Sequence, residues 1–284
     1  MQEKSNDRVQ DILNHPDVLN VTDNSNQALK ERCSHTIKKC KVFDAPFTLL
    51  TTDDRYSFVI DQEACKQLPG IIANMVQKSA GTDTPEASAR SFFEQKRIIG
   101  IVFSGGPAPG GHNVIAGLYD AAKKANPENR ILGFLMGPDG IIENEAIELT
   151  DGLVDAYRNL GGFSMIKTGR TKIDSKGKMA LSRETCRQLD LDALVVVGGD
   201  ESNTTAAFLA QELKADGVQV IGVPKTIDGD IQVKDASGKV LCAMSFGFHT
   251  AARAFAGQIS NLCTDASSDV KYWHVCKVMG RVAS

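Results

Sequence analysis

From Arg97 onward, short apolar runs alternate with amphipathic stretches, and this alternation limits the possible folds more than any other feature of the chain. Ile98 to Phe103, Ile131 to Met136, Ala193 to Val197, Val218 to Val223 and Trp273 to Val278 are short and largely apolar. Several are rich in β-branched residues, as strands buried on both faces are. Helical periodicity fills the gaps between them. Val114, Ile115, Leu118, Ala121, Ala122 and Ala125 recur at helical spacing and stop at Asn126-Pro127. Phe248, Ala251, Ala252, Phe255, Ile259 and Leu262 form a second stripe, which predicts a helix packed on the sheet. The pattern predicts a Rossmann-like, doubly wound α/β fold: a mostly parallel sheet with helices on both faces. Residues 1–95 lack a clean period and read as an N-terminal arm with some helix, packed on something else, ahead of an α/β domain over 96–284.

Composition narrows the partners. A net charge of −3, without a long run of one sign, gives no general reason to expect nucleic acid or a membrane surface. Two local basic stretches, Lys38 to Lys41 and Arg170 to Lys178, read as solvated faces. No segment has the roughly 18 apolar residues of a membrane span, and the start lacks the apolar core of a secretory signal. The seven cysteines are scattered, with no C-x-x-C pair, so reduced thiols in the cytoplasm are the simplest expectation.

In such folds ligands bind outside the carboxyl ends of the strands, where helix N-termini offer free N–H groups. Three loops occupy those places. Ser104-Gly105-Gly106-Pro107-Ala108-Pro109-Gly110-Gly111 holds four glycines and two prolines in eight residues, a stiff backbone that a phosphate can approach without meeting a Cβ. It is neither a Walker A loop nor a G-x-G-x-x-G fingerprint. Gly198-Gly199-Asp200-Glu201-Ser202 follows the third run; its glycines admit a polyphosphate and Asp200 can hold the Mg²⁺ that neutralises it. In Pro224-Lys225-Thr226-Ile227-Asp228-Gly229-Asp230, Lys225 offers a point charge, while Asp228 and Asp230 offer a base and a second metal or electrostatic group. Three such loops on successive strand ends converge if the sheet is parallel, and together they point to phosphoryl transfer.

Gly105-Gly106-x-Ala108-Pro109-Gly110, Gly198-Gly199-Asp200-x-Ser202, Thr226-Ile227-Asp228-x-Asp230 and Met279-Gly280-Arg281 resemble, in order and spacing, the signatures of the phosphofructokinases, from Arg97 to Ser284. The resemblance implies an enzyme that phosphorylates the 1-hydroxyl of fructose 6-phosphate. It makes Asp228 the general base and Asp200 the magnesium ligand, with Lys225, Arg281 and Glu201 completing the catalytic group. Gly105, Gly106, Lys225 and Arg170 would meet the phosphoryl donor. Thr226, Ile227, Asp228 and Asp230 would line the sugar phosphate, as would Lys271, Tyr272, Met279, Gly280 and Arg281. It further implies that the chain runs into a second domain cut short at Ser284, so these residues alone are expected to be weak or inactive. A homo-oligomer, or pairing with a related regulatory chain, is the expected assembly.

Donor choice rests on a few positions. Pro107, Lys225 and Gly229 are similar to the pyrophosphate-using type. An acid after Asp200 fills the place of an α-phosphate and repels it. That acid is usually aspartate, and here it is Glu201, whose extra methylene is expected to crowd pyrophosphate or move Lys225 while still excluding ATP. An ATP-dependent member of the same family and a non-catalytic regulatory subunit are the competing readings. Lipid and NAD kinases share the Gly-Gly-Asp loop but lack the Thr226-Ile227-Asp228 and Met279-Gly280-Arg281 signatures.

Overall fold

Apolar runs become strands where a neighbouring strand pairs with them, and four of the five do so here. The computed structural model describes residues 47–51, 62–72, 74, 77–81, 94–242, 245–269 and 271–280. Ahead of the α/β unit, β1 (Phe47–Thr51) pairs antiparallel with β2 (Gln77–Gly81), and two short helices, α1 (Gln62–Gln67) and α2 (Pro69–Ile72), lie between them in sequence.

The main sheet is built from β3 (Ile98–Phe103), β4 (Arg130–Phe134), β5 (Ala146–Glu148), β6 (Ala193–Gly198), β7 (Gln219–Thr226) and β10 (Phe246–Gly247). Their spatial order is β5-β4-β3-β6-β7-β10, parallel except for the β4–β5 pair. The chain leaves β3 toward β4, then returns to β6 on the other side, so the topological switch lies between β3 and β6. A two-stranded ribbon of β8 (Val233–Lys234) and β9 (Val240–Cys242) sits between β7 and β10 in sequence.

Helices α3 (Gly111–Ala125), α4 (Pro138–Ile142), α5 (Asp151–Tyr157), α6 (Lys176–Gln188) and α7 (Asp200–Leu213) cover the sheet. The period of two along each strand divides the core. Ile101, Phe103, Val195 and Val197 pack with Ile115 and Tyr119 of α3 and Val154 and Tyr157 of α5. Val102, Leu194 and Val196 face the other way, toward Ile141 of α4, Cys186 of α6 and Leu209 and Leu213 of α7. Each such buried side chain contributes about 1.5–3 kcal/mol of transfer free energy, which fixes strand register on both faces. Side-chain caps start two helices: Thr150 accepts from the Leu153 N–H at 3.4 Å and Ser175 from the Lys178 N–H at 3.3 Å.

Three expectations are corrected. Trp273 to Val278 is not a strand: it forms no ladder among the described residues, and Trp273 is 98% and Val275 96% exposed. The place on β7 goes instead to the two-residue β10, because an apolar run pairs only where a strand edge meets it. Helix α8 (Phe248–Ser268) does form on its apolar stripe, yet Ala251 is its single buried residue, so it does not pack on the sheet as expected. Finally, β7 is not covered on both faces, since Ile221 is 54% exposed. The expected arm is described only in part; its 67–70 segment docks on α7, where Gln211 accepts from the Gly70 N–H at 3.3 Å and donates to the Gln67 carbonyl at 3.2 Å.

Candidate functional site

The carboxyl ends of β3, β6 and β7 lie side by side, which brings the three loops together. At the switch point the Ser104 N–H donates to the Val197 carbonyl at 2.8 Å, and the Ser202 hydroxyl donates to the Ser104 hydroxyl at 2.8 Å. The approach is too close for a side chain on the β6 loop. A Cβ at Gly198 would lie 2.4 Å from Ser202 Cβ and 2.8 Å from the Ser104 carbonyl. Gly198→Ala is expected to cost about 1–3 kcal/mol, read as a fall in Tm, because backbone on one side and a helix on the other leave no room to yield.

Helix α7 starts without a side-chain cap: Gly199 is extended, and Asn203 turns its amide back onto the Gly198 and Gly199 carbonyls at 2.8 Å each. The Asn203 N–H donates to the Gly199 carbonyl at 3.0 Å, so the N–H groups of Asp200, Glu201 and Ser202 are the ones a helix start leaves for an anion. Asp200 itself is exposed.

Across the switch, Gly105 holds a left-handed φ of 86°. Its N–H donates to the Gly169 carbonyl at 2.8 Å and its carbonyl accepts from the Thr168 hydroxyl at 2.7 Å. These bonds tie the first glycine loop to the segment carrying Arg170, whose guanidinium would stand 3.2 Å from a Cβ on Gly106.

Lys225 is the electrostatic centre. It is only 6% exposed, its ammonium donates to the Gly106 carbonyl at 2.5 Å, and it stands 5.8 Å from the centroid of Phe163. Burial pulls its pKa below the ordinary lysine value, Arg170 adds to the fall, and Asp228 and Asp230 oppose it. Thr226 is equally buried, and its hydroxyl accepts from the Asp228 N–H at 3.0 Å, which sets the turn that presents Asp228. Ile227 packs against the core from the same turn.

A cleft of about 430 Å³ opens beside these groups, lined on one side by Ser104, Gly105, Arg170 and Ser202. Glu201 also lines it, but does not turn toward Lys225; it pairs with Lys172 at 3.1 Å.

Gly105, Gly106, Arg170, Glu201, Lys225 and Asp228 thus share one region of the molecule. Of the later sugar-side candidates, Tyr272 is 65% and Met279 70% exposed, and Lys271 is likewise exposed. Gly280 is half-buried with a φ of 152°, and Arg281 lies outside the described residues. Sequence reasoning assigned no role to the Ser104–Ser202 hydroxyl pair, to Thr168 or to Lys172. The first two begin or follow glycine motifs, a signal that could have been used; Lys172 gave none.

Fold and loops define an α/β domain with a cleft beside the topological switch. Residues 98–284 match the phosphofructokinase family model, and the chain belongs to that family. It is 52% identical over 188 residues to the pyrophosphate–fructose 6-phosphate 1-phosphotransferase of Porphyromonas gingivalis, covering 66% of this chain and 33% of that protein. To subunit beta 2 of the Arabidopsis thaliana enzyme of the same name it is 39% identical over 274 residues, covering 96% of this chain and 46% of the relative. Among solved structures, the pyrophosphate-dependent phosphofructokinase of Marinobacter aquaeolei shares the fold with a TM-score of 0.52 at 22% identity, over 61% of this chain and 42% of that one. The chain therefore spans between a third and a half of the length of these relatives.

Proposed function

We propose that this chain is the donor-binding and catalytic-base portion of a phosphotransferase that moves a phosphoryl group from pyrophosphate to the 1-hydroxyl of fructose 6-phosphate. The products are fructose 1,6-bisphosphate and phosphate, and the reaction is reversible. One observation carries the donor assignment: the buried Lys225 ammonium fixed on the Gly106 carbonyl, beside Arg170 and under the free N-terminus of α7. That is a compact cationic pocket matched to two linked phosphates.

Asp228 accepts the proton of the 1-hydroxyl, the oxygen attacks the terminal phosphorus, and the bond to the second phosphate breaks. Little covalent chemistry is asked of the protein, so positioning and charge neutralisation account for most of the rate. Lys225 and Arg170 neutralise the donor, and Arg281 would do so at the transferring group. Magnesium fits the residues present: Asp200 offers an exposed carboxylate next to free N–H groups, and this ion usually takes one or two carboxylates together with substrate phosphates and water. When bound it would neutralise donor charge.

The unpaired thiols of Cys186, Cys263 and Cys276 support a cytoplasmic setting, and the word subunit in the names of the plant relatives supports an oligomer. No helix among the described residues is long and apolar enough to cross a membrane.

Assay of the full-length protein with pyrophosphate and then with ATP tests the assignment. Turnover with pyrophosphate is expected; preference for ATP would make it an ATP enzyme, and no turnover with either would favour a regulatory chain. The pH profile adds a check on Lys225. Because its pKa is lowered, kcat/KM for pyrophosphate should fall as pH rises through a value below the ordinary lysine pKa of about 10.4, and Lys225→Arg should move that fall upward.

A further inference from the structure

The ammonium of Lys225 stands over the ring of a buried phenylalanine, Phe163, at 5.8 Å from its centroid. Lys225 needs such company. Burial works against its charge and Arg170 repels it, with Asp228 and Asp230 acting the other way. The electron-rich face of an aromatic ring also attracts a cation, and more strongly where water is excluded. The ring itself has little freedom to move away. It packs on Phe103 with centroids 4.1 Å apart, and it closes so far over the start of α3 that a Cβ on Gly111 would lie 2.1 Å from it. One buried residue fastens its backbone. The His112 backbone N–H donates to the Gly162 carbonyl at 3.1 Å, and His112 Nε2 accepts from the Met165 N–H at 3.1 Å, so the two bonds fall on either side of Phe163. The second bond requires an unprotonated Nε2. Burial pulls the His112 pKa down to about 4, which keeps the imidazole neutral at working pH. His112 directly follows the first glycine loop, so it ties the ring to the loop whose Gly106 carbonyl receives the Lys225 ammonium.

We propose that Phe163 is a positioning residue for the phosphoryl donor: its ring, fastened by His112, holds the Lys225 ammonium in place for the donor phosphates. Both residues act through Lys225. The inference rests on the pyrophosphate reading above and names what stands behind its cation. A purely structural role makes a different forecast. If Phe163 only fills the core, its loss weakens donor binding by the same factor whether Lys225 is present or not. If it acts through Lys225, that factor vanishes once the ammonium is gone.

The test is a double-mutant cycle on the full-length protein, read by calorimetric titration with the magnesium complex of pyrophosphate. Phe163→Leu, which stays apolar and loses the ring face, is expected to weaken binding about 3- to 30-fold, the span of a cation held over a ring away from water. In the Lys225→Met background the same substitution should change binding by less than about twofold. Should Phe163→Leu not fold, Phe163→Met carries the same cycle. His112→Leu should weaken binding as Phe163→Leu does, and His112→Gln, whose amide oxygen can meet the Met165 N–H, should restore it. Equal factors in the two backgrounds, unchanged binding in Phe163→Leu, or a His112→Gln variant as weak as His112→Leu would overturn the proposal. A non-hydrolysable ATP analogue is titrated alongside. A protein that binds only the nucleotide counts against the pyrophosphate reading, and the same cycle run on the nucleotide then decides the role of Phe163; a protein that binds neither overturns both.

Discussion

Asp228→Asn in the full-length protein is expected to lower kcat by about 10²–10⁴-fold, the usual contribution of a general base, while the KM for pyrophosphate stays nearly unchanged. The split follows from how the turn is built. Its shape depends on the Asp228 N–H bonded to the Thr226 hydroxyl at 3.0 Å, which the amide variant keeps. What the amide cannot do is accept the sugar proton. A second consequence is electrostatic: Asp228 helps to hold Lys225 protonated, so its neutral replacement should shift the alkaline loss of pyrophosphate affinity to lower pH. Steady-state kinetics over a pH series reads both effects. A kcat within tenfold of the unaltered enzyme would place the base elsewhere.

Arg158→Met is expected to cost about 3 kcal/mol of stability. Arg158 is 8% exposed, donates to both oxygens of Asp120 at 2.7 and 2.8 Å and to Asp155 at 2.9 Å. Hydrogen bonding to Asp120 raises its pKa, so the guanidinium stays charged across the working range. The substitution leaves Asp120, on α3, largely buried without its counter-ion. The pair joins α5 to the helix that opens directly behind the first glycine loop, which makes it a support of the site. Urea unfolding measures the loss. A cost under about 1 kcal/mol would mean that the pair behaves as an exposed one.

Legibility in the sequence followed burial. β3, β4, β6 and β7 each begin within one residue of the apolar run that predicted them; for β3, β4 and β6 this is because a strand covered on two faces has to be apolar throughout. β5 and β10 have three and two residues, too few for a period to register. Trp273 to Val278 and the stripe on α8 show the reverse: an apolar pattern states that a segment needs cover, and says nothing of whether the cover is present. Within the site, Gly105, Gly106, Lys225 and Asp228 were legible as loops after strands. Contacts between distant segments were not. Glu201 with Lys172 and Arg158 with Asp120 have no shared motif or helical spacing, and only the packing of the sheet brings them together.

Trp273 has an optical consequence. It is the single tryptophan of these 284 residues, and its side chain stands almost wholly in water. Its emission should therefore be red-shifted and readily quenched by iodide before any unfolding begins, so urea titrations of this region need far-UV circular dichroism as their probe. The same indole is a built-in lamp for anything that settles over 272–279, since covering it would shift its emission to the blue while a ligand in the cleft would leave it dark to the event.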